Sequence, residues 1–212
     1  MMEPKASKGP CSLCGKEYTR TGMSKHLASC LMNRISETKG SHTTCYHLLV
    51  KTKYPSDYWL HLQIDANATL KTLDGFLRRI WLECCGHMSS FFMKKHVIGK
   101  SQQVWAILEP GMEVDYDYDM GSTTSLRIKV LGEYPGLVKK RKQVEVLARN
   151  RPPEIYCDEC GNNPAAKICP ECSWEGSGWL CESCAAKHDC GDEEYFLTVA
   201  NSPRTGVCGY SG

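Results

Sequence analysis

Tyr58-Trp59-Leu60-His61-Leu62-Gln63-Ile64 is followed, after four residues, by Thr69-Leu70-Lys71-Thr72-Leu73-Asp74-Gly75-Phe76-Leu77-Arg78-Arg79-Ile80-Trp81-Leu82. The first segment sets Tyr58, Leu60, Leu62 and Ile64 on one parity and Trp59, His61 and Gln63 on the other, the period of two expected of a strand. In the second, Leu70, Leu73, Leu77, Ile80, Trp81 and Cys84 recur at helical spacing, with Thr69 as N-cap and Gly86 as the stop. Upstream, Tyr46, Leu48 and Val50 alternate with His47, Leu49 and Lys51, a half-buried strand that a turn at Pro55-Ser56-Asp57 folds back into a hairpin. Downstream, Ser89–Met93 and Val104–Leu108 read as short strands. Val114, Tyr116 and Tyr118 then alternate with Asp115, Asp117 and Asp119. The chain turns through Gly121-Ser122-Thr123-Thr124 into Leu126, Ile128 and Val130, and a last strand is expected near Gln143–Ala148. The order β-β-α-β-β-β-β predicts an α+β domain over residues 41–150 in which one helix covers a curved sheet, a β-grasp-like arrangement.

Both flanks of that domain are rich in cysteine, which occurs fourteen times in 212 residues. Cys11, Cys14, His26 and Cys30 are spaced C-x2-C-x11-H-x3-C. Cys157, Cys160, Cys169, Cys172, Cys181, Cys184, His188 and Cys190 form three C-x2-C pairs closed by H-x-C. A two-residue gap turns both thiolates toward one tetrahedral ion, so these twelve ligands predict three structural zinc ions. Disulfides are the competing explanation for so much cysteine. They are disfavoured because adjacent C-x2-C partners make strained small loops and Met1-Met2-Glu3-Pro4-Lys5 opens no apolar signal segment. No run of about eighteen apolar residues occurs. The expectation is a protein of the reducing cytoplasm, with small zinc modules at 1–40 and 151–212 that use metal in place of a large core.

Charge divides along the same boundaries. Residues 1–40 carry seven Lys/Arg against three Glu, residues 41–150 fifteen against eleven Asp/Glu, and residues 151–212 four against ten. With thiolates bound to zinc the last module stands near about −9, a poor surface for a phosphate backbone.

In the N-terminal module, Tyr18 and Met23 occupy the places of the small core of a ββα finger. His26 and Cys30 present two ligands on one face of a helix from about Met23 to Arg34. Residues 9–34 resemble the C2H2 finger family, departing from it in the final Cys and in an interval of eleven residues before His26. The positions that read bases in that family correspond to Thr19, Gly22 and Lys25. Gly22 has no side chain for the purpose, and one finger buries too little surface for specific binding. Backbone contact through Lys16, Arg20, Lys25 and Arg34 is one expectation for this module, and protein contact or a structural role is the other. Residues 35–44 read as a polar linker.

In the C-terminal module two ligand assignments are open. Sequential sets would require Cys181, Cys184, His188 and Cys190 to wrap one ion within ten residues. Interleaving relieves this, with Cys157, Cys160, Cys181 and Cys184 on one ion and Cys169, Cys172, His188 and Cys190 on the other, and is favoured. The arrangement resembles the cross-braced B-box, ZZ and RING group, most closely at Trp179-Leu180-Cys181-Glu182-Ser183-Cys184-Ala185-Ala186-Lys187-His188. That group serves mainly as binding platforms. Cys208, in Gly206-Val207-Cys208-Gly209-Tyr210, is a further candidate able to displace His188 or Cys190.

The middle domain offers no catalytic pattern. Asp115, Asp117 and Asp119 face Arg127 and Lys129 of matching parity, as cross-strand ion pairs would. His47, His61, His87 and His96 lack metal spacing, Cys45, Cys84 and Cys85 read as buried thiols, and no phosphate-cradling loop or nucleophile elbow occurs. Tyr58–Ile64, Thr69–Leu82 and above all Tyr116-Asp117-Tyr118-Asp119-Met120-Gly121-Ser122-Thr123-Thr124 resemble the Ri-plasmid ORF-three-like family, also labelled an insertion-element passenger protein, over about residues 45–150. The resemblance implies the same α+β fold, no established activity, and a link to mobile elements without recombinase chemistry. The basic run Lys139-Lys140-Arg141-Lys142 is either a solvated loop or a backbone-binding patch. The expected function is a non-catalytic zinc-binding adaptor that recruits a protein partner. The alternative is a nucleic-acid-binding accessory of a mobile element, with weak, non-specific affinity and no membrane contact.

Overall fold

The computed structural model describes residues 7–37, 42–54, 57–136, 142–190 and 195–212. In chain order these form β1 (Lys8–Pro10), β2 (Glu17–Thr19), α1 (Arg20–Glu37), β3 (Thr43–Thr52), β4 (Trp59–Asp65) and α2 (Leu70–Leu77), which runs on into a π turn over Arg78–Leu82. Then come β5 (Ser89–Met93), β6 (His96–Ile98), α3 (Val104–Ile107), β7 (Glu113–Tyr118), β8 (Thr124–Gly136) and β9 (Val144–Arg149). The last part holds β10 (Lys167–Ile168), α4 (Pro170–Ser173), β11 (Trp179–Leu180), α5 (Glu182–Ala185) and β12 (Leu197–Thr198). Part of the Pro55-Ser56-Asp57 turn, part of the 35–44 linker and Lys139–Arg141 of the basic run lie outside the described residues.

Seven strands make one sheet in the order β6-β5-β7-β8-β3-β4-β9, every ladder antiparallel. One face carries Leu48, Val50, Leu60, Leu62, Ile64, Tyr116, Leu126 and Ile128 and is covered by Leu70, Leu73, Leu77 and Trp81. The Thr69 hydroxyl caps this helix by accepting from the Thr72 N–H at 3.2 Å. The helix-on-sheet expectation is met, with one correction in the strand list. Val104–Ile107 is a helical turn, closed by the Leu108 N–H donating to Val104 O at 2.9 Å, with Val104 and Leu108 buried together four residues apart. The extra strand is His96–Ile98, paired to β5.

The opposite face is not open to solvent. Leu49, Trp59, Leu147 and Ala148 form a second core with Met23, Leu27 and Leu31 of α1, so β3 and β4 are buried on both faces rather than half-buried. The finger helix extends over Arg20–Glu37, longer than the Met23–Arg34 expected, because its apolar stripe lies along this sheet face. Backbone bonds fix the docking: the Ser12 N–H donates to Leu147 O and the Arg151 N–H to Lys8 O, each at 2.8 Å. Trp59 Nε1 donates to Ser7 Oγ at 2.9 Å. Gly9 is required here, since a Cβ would lie 1.9 Å from the Arg149 carbonyl oxygen.

The C-terminal segment also returns to the sheet. Asn150 accepts the Trp59 N–H at 2.9 Å and exchanges side-chain bonds with Asn201. The Ser202 hydroxyl donates to the Trp81 carbonyl within the π turn, and Arg204 is wholly buried.

Candidate metal centres

Four groups of Cys and His bring their ligand atoms within 4.8 Å of one another. Regular tetrahedral zinc requires ~3.8 Å between two thiolates and ~3.5 Å between a thiolate and an imidazole nitrogen, from bonds of about 2.3 and 2.05 Å. The donor sets and separations below match that pattern, so each group can hold an ion of zinc type.

The first group is Cys11, Cys14, His26 and Cys30. β1 and β2 supply the two-cysteine turn, closed by Gly15 N–H to Cys11 O at 2.8 Å and Cys11 N–H to Lys16 O at 2.9 Å. The helix supplies the other two ligands. Cys11 and Cys30 sulfurs lie 4.0 Å apart and Cys14 sulfur lies 3.2 Å from His26 Nε2. Tyr18 stacks on the His26 ring at 4.3 Å. Thr19, at a base-reading position of related fingers, is occupied in accepting the Gly22 N–H.

The C-terminal module is interleaved. Cys157, Cys160, Cys181 and Cys184 form one set, with Cys160 and Cys181 sulfurs 3.9 Å apart. Cys169, Cys172, His188 and Cys190 form the other, with Cys172 3.4 Å from Cys190 and 3.3 Å from His188 Nε2. His188 Nδ1 lies 2.6 Å from Glu159, a residue between two ligands of the first set, so the acid orients a ligand of the second. β10 pairs with both β11 and β12, and Gly178, at φ +98, lets the chain pass close to Cys172.

The fourth group, Cys84, Cys85, His87 and Cys208, corrects three expectations. Cys85 is exposed and Cys84 half-buried, so neither is a buried thiol. His87 does sit in a metal-type cluster. Cys208 displaces neither His188 nor Cys190, because its thiol lies with Cys84, Cys85 and His87 while those two ligands stay with Cys169 and Cys172. Cys45 is buried as expected, and burial raises its thiol to about 12.

All fourteen cysteines are unbridged, and proton affinities show what that closeness demands. Hydrogen bonds from Ser183 and from the Cys184 amide bring Cys181 down to about 6, while Cys184 beside it is pushed up, chiefly by its bond to Cys181. Cys172 rises to about 12 against Cys190, Cys30 to about 12 through burial and Cys11, and Cys85 to about 11 against Cys84 and Cys208. Neighbouring thiolates repel, so full ionisation of any set needs a cation among them.

Of the aspartate stripe, Asp115 makes ordinary pairs, while Asp117 lies opposite Ser125 with its Oδ1 buried and without a hydrogen-bond partner among the described residues. Asp115 accepts from Arg127 Nε at 2.9 Å and from Lys53 at 3.1 Å, whereas Lys129 pairs with Glu113. Asp119 leaves the stripe: at φ +65 it turns inward and meets Arg204 at 2.6 Å. Arg204 pulls that carboxyl down to about 2. His47 and His61 form a buried pair at 2.8 Å under the finger.

Among the described residues no helix is long and apolar enough to cross a membrane. No family model matches the chain, and no curated protein matches it. Among solved structures, a protein of unknown function from Methanosarcina mazei Go1 aligns at 15% identity with a TM-score of 0.41, over 51% of this chain and 68% of its own.

Proposed function

We propose that this chain is a non-catalytic, zinc-ordered adaptor of a reducing cytoplasm that recruits a protein partner through its acidic C-terminal module. Every Cys/His group supplies four protein ligands, which leaves no open coordination position for a substrate or an activated water. The middle domain acts as a frame of β-grasp-like, Ri-plasmid ORF-three-like type. Its signature stretch Tyr116–Thr124 forms the end of β7 and the turn that receives Arg204.

The observation that carries the partner reading is an apolar groove of about 690 Å³ between the zinc module and the C-terminal segment, lined by Ile168, Trp174, Trp179, Leu197 and Val207. Trp174 is 89% exposed at its edge, a large apolar surface for a monomer to leave uncovered. The surrounding module carries ten acidic residues against four basic ones. Its partner is therefore a protein segment with an apolar anchor between basic residues, since charge sets orientation and encounter while the buried aromatic contributes most of the affinity.

Capture from a nuclease-treated extract, comparing the full chain with Trp174→Ala, tests this. One or more proteins should be retained by the parent and lost from the variant. Equal retention by both would overturn the groove assignment. Nanomolar, sequence-selective DNA binding through the exposed Lys16 and Lys25 would replace the adaptor by the mobile-element accessory.

A further inference from the structure

Cys84 and Cys85 follow the π turn of α2, and Gly86, at φ +83, reverses the chain so that His87 points back at them. The Gly86 N–H donates to Glu83 at 2.6 Å and Tyr118 Oη reaches both Glu83 and the Cys84 amide, which fixes this corner on the sheet. Cys208 arrives from the far end of the chain. Its own φ is +49, between Gly206 at +76 and Gly209 at +60, so a left-handed turn directs its thiol at the corner. The Cys84–Cys85 and Cys85–Cys208 sulfurs lie 3.7 and 3.8 Å apart, and His87 Nε2 lies 3.0 Å from Cys85 and 3.2 Å from Cys208. The sulfur spacings are those of a tetrahedral zinc site, with the imidazole a few tenths of an ångström inside its place.

The surroundings suit a cation held by thiolates. Three thiolates around Zn²⁺ leave one negative charge, and Arg204 Nη2 lies 3.6 Å from Cys84 and donates to Asp119, while its Nη1 donates to Ser122 O and Thr124 Oγ1. Arg204 also lies over the Tyr118 ring at 4.9 Å. The Asp119 carboxylate is 3.5 Å from His87 Nε2 and completes the polar wall.

We propose that Cys84, Cys85, His87 and Cys208 bind a fourth zinc ion, which clasps the C-terminal segment to the end of the α2 helix. The site differs from the other three in joining ligands more than a hundred residues apart, so its ion links two parts of the fold rather than ordering one module. Each thiol loses its proton to solvent on binding, and the ion leaves when the thiols are protonated or oxidised. Val207 and Gly209, on either side of Cys208, line the groove beside Trp174, so the clasp fixes one wall of it. That consequence rests on the adaptor reading; the metal itself does not.

Native mass spectrometry of the full chain, purified under reducing conditions with sub-stoichiometric to excess zinc, tests the clasp. The parent should saturate at four ions, and Cys208→Ser and His87→Ala at three each. Cys45→Ala, which alters a thiol outside every set, should keep four. Hydrogen exchange over residues 202–210 should quicken in Cys208→Ser and remain slow in Cys45→Ala. Saturation of the parent at three, or retention of four by Cys208→Ser, overturns the site whether or not the Trp174 groove binds a protein.

Discussion

Leu27→Ala distinguishes a finger that is part of the domain core from one that merely hangs beside it. Leu27 is 0% exposed and packs in the cluster that holds Trp59 and Leu147 of the central sheet. Truncating a wholly buried leucine costs about 2–5 kcal/mol, the removed atoms plus the cavity they leave. With about 3 kcal/mol, the equilibrium between closed and open sheet shifts by about 150-fold, and the melting midpoint of a domain this size falls by about 6–12 °C. Leu27→Met, which keeps the volume, should cost under about 1.5 kcal/mol. Hydrogen exchange of peptides spanning β3 and β4, at saturating zinc, reads the effect where it matters. Both strands are buried on two faces, so uncovering one should speed their exchange in Leu27→Ala. If exchange quickens in α1 alone and β3 and β4 keep parental rates, the finger does not contribute to the sheet's stability and the two-faced core is refuted.

Two further outcomes follow from buried and paired groups. Burial holds His47 at about 4 and His61 at about 3, the latter aided by His47, against an ordinary 6.5. The unfolded chain therefore takes up protons first as pH falls below 6.5. Stability should drop by about 1 kcal/mol per histidine between pH 6.5 and 5.5 and go on falling toward pH 4. Denaturant midpoints of the parent and of His47→Leu/His61→Leu, with zinc in excess, should diverge in slope over that interval, and parallel slopes would contradict it. Glu159→Gln removes the acid that orients His188 and should weaken one zinc ion of the C-terminal module by about 10–100-fold in chelator competition; unchanged release of every ion would show that the contact does not tune the site.

What the sequence discloses is whatever a short stretch of chain decides. Alternation at Tyr46, Leu48 and Val50 and at Leu60, Leu62 and Ile64 marks the core face, and the helical spacing of Leu70, Leu73 and Leu77 marks its cover. Those periods come from backbone geometry alone. The second face was hidden because its members, Leu49 and Trp59, share a parity with His47, His61 and Lys51, so the pattern reads as wet. Only the packing of Met23, Leu27 and Leu31 against Leu49, Trp59 and Leu147, from a segment docked by the approach of Gly9 to Arg149 across most of the chain, shows that a helix lies on it. A parity that mixes large apolar residues with histidine was the available signal.

The metal sets divide in the same way. C-x2-C pairs announce themselves because two residues of chain suffice to aim both sulfurs, and interleaving follows from the three residues left to reverse the chain between Cys184 and His188. The fourth group has no such spacing: its cysteines are adjacent, its histidine follows after one residue, and its last ligand is 121 residues beyond that histidine. No local rule joins Cys85 to Cys208; the sheet does, by placing the end of α2 and the Asp119 turn on one edge where Arg204 can anchor the returning chain. The one trace in sequence is a remainder, namely four cysteines and five histidines left over once twelve ligands are assigned, among which Cys84, Cys85, His87 and Cys208 have glycines at 86, 206 and 209 to turn them inward. A remainder of that composition in a chain that already carries metal-type ligand sets is a reason to look for a site that the fold assembles.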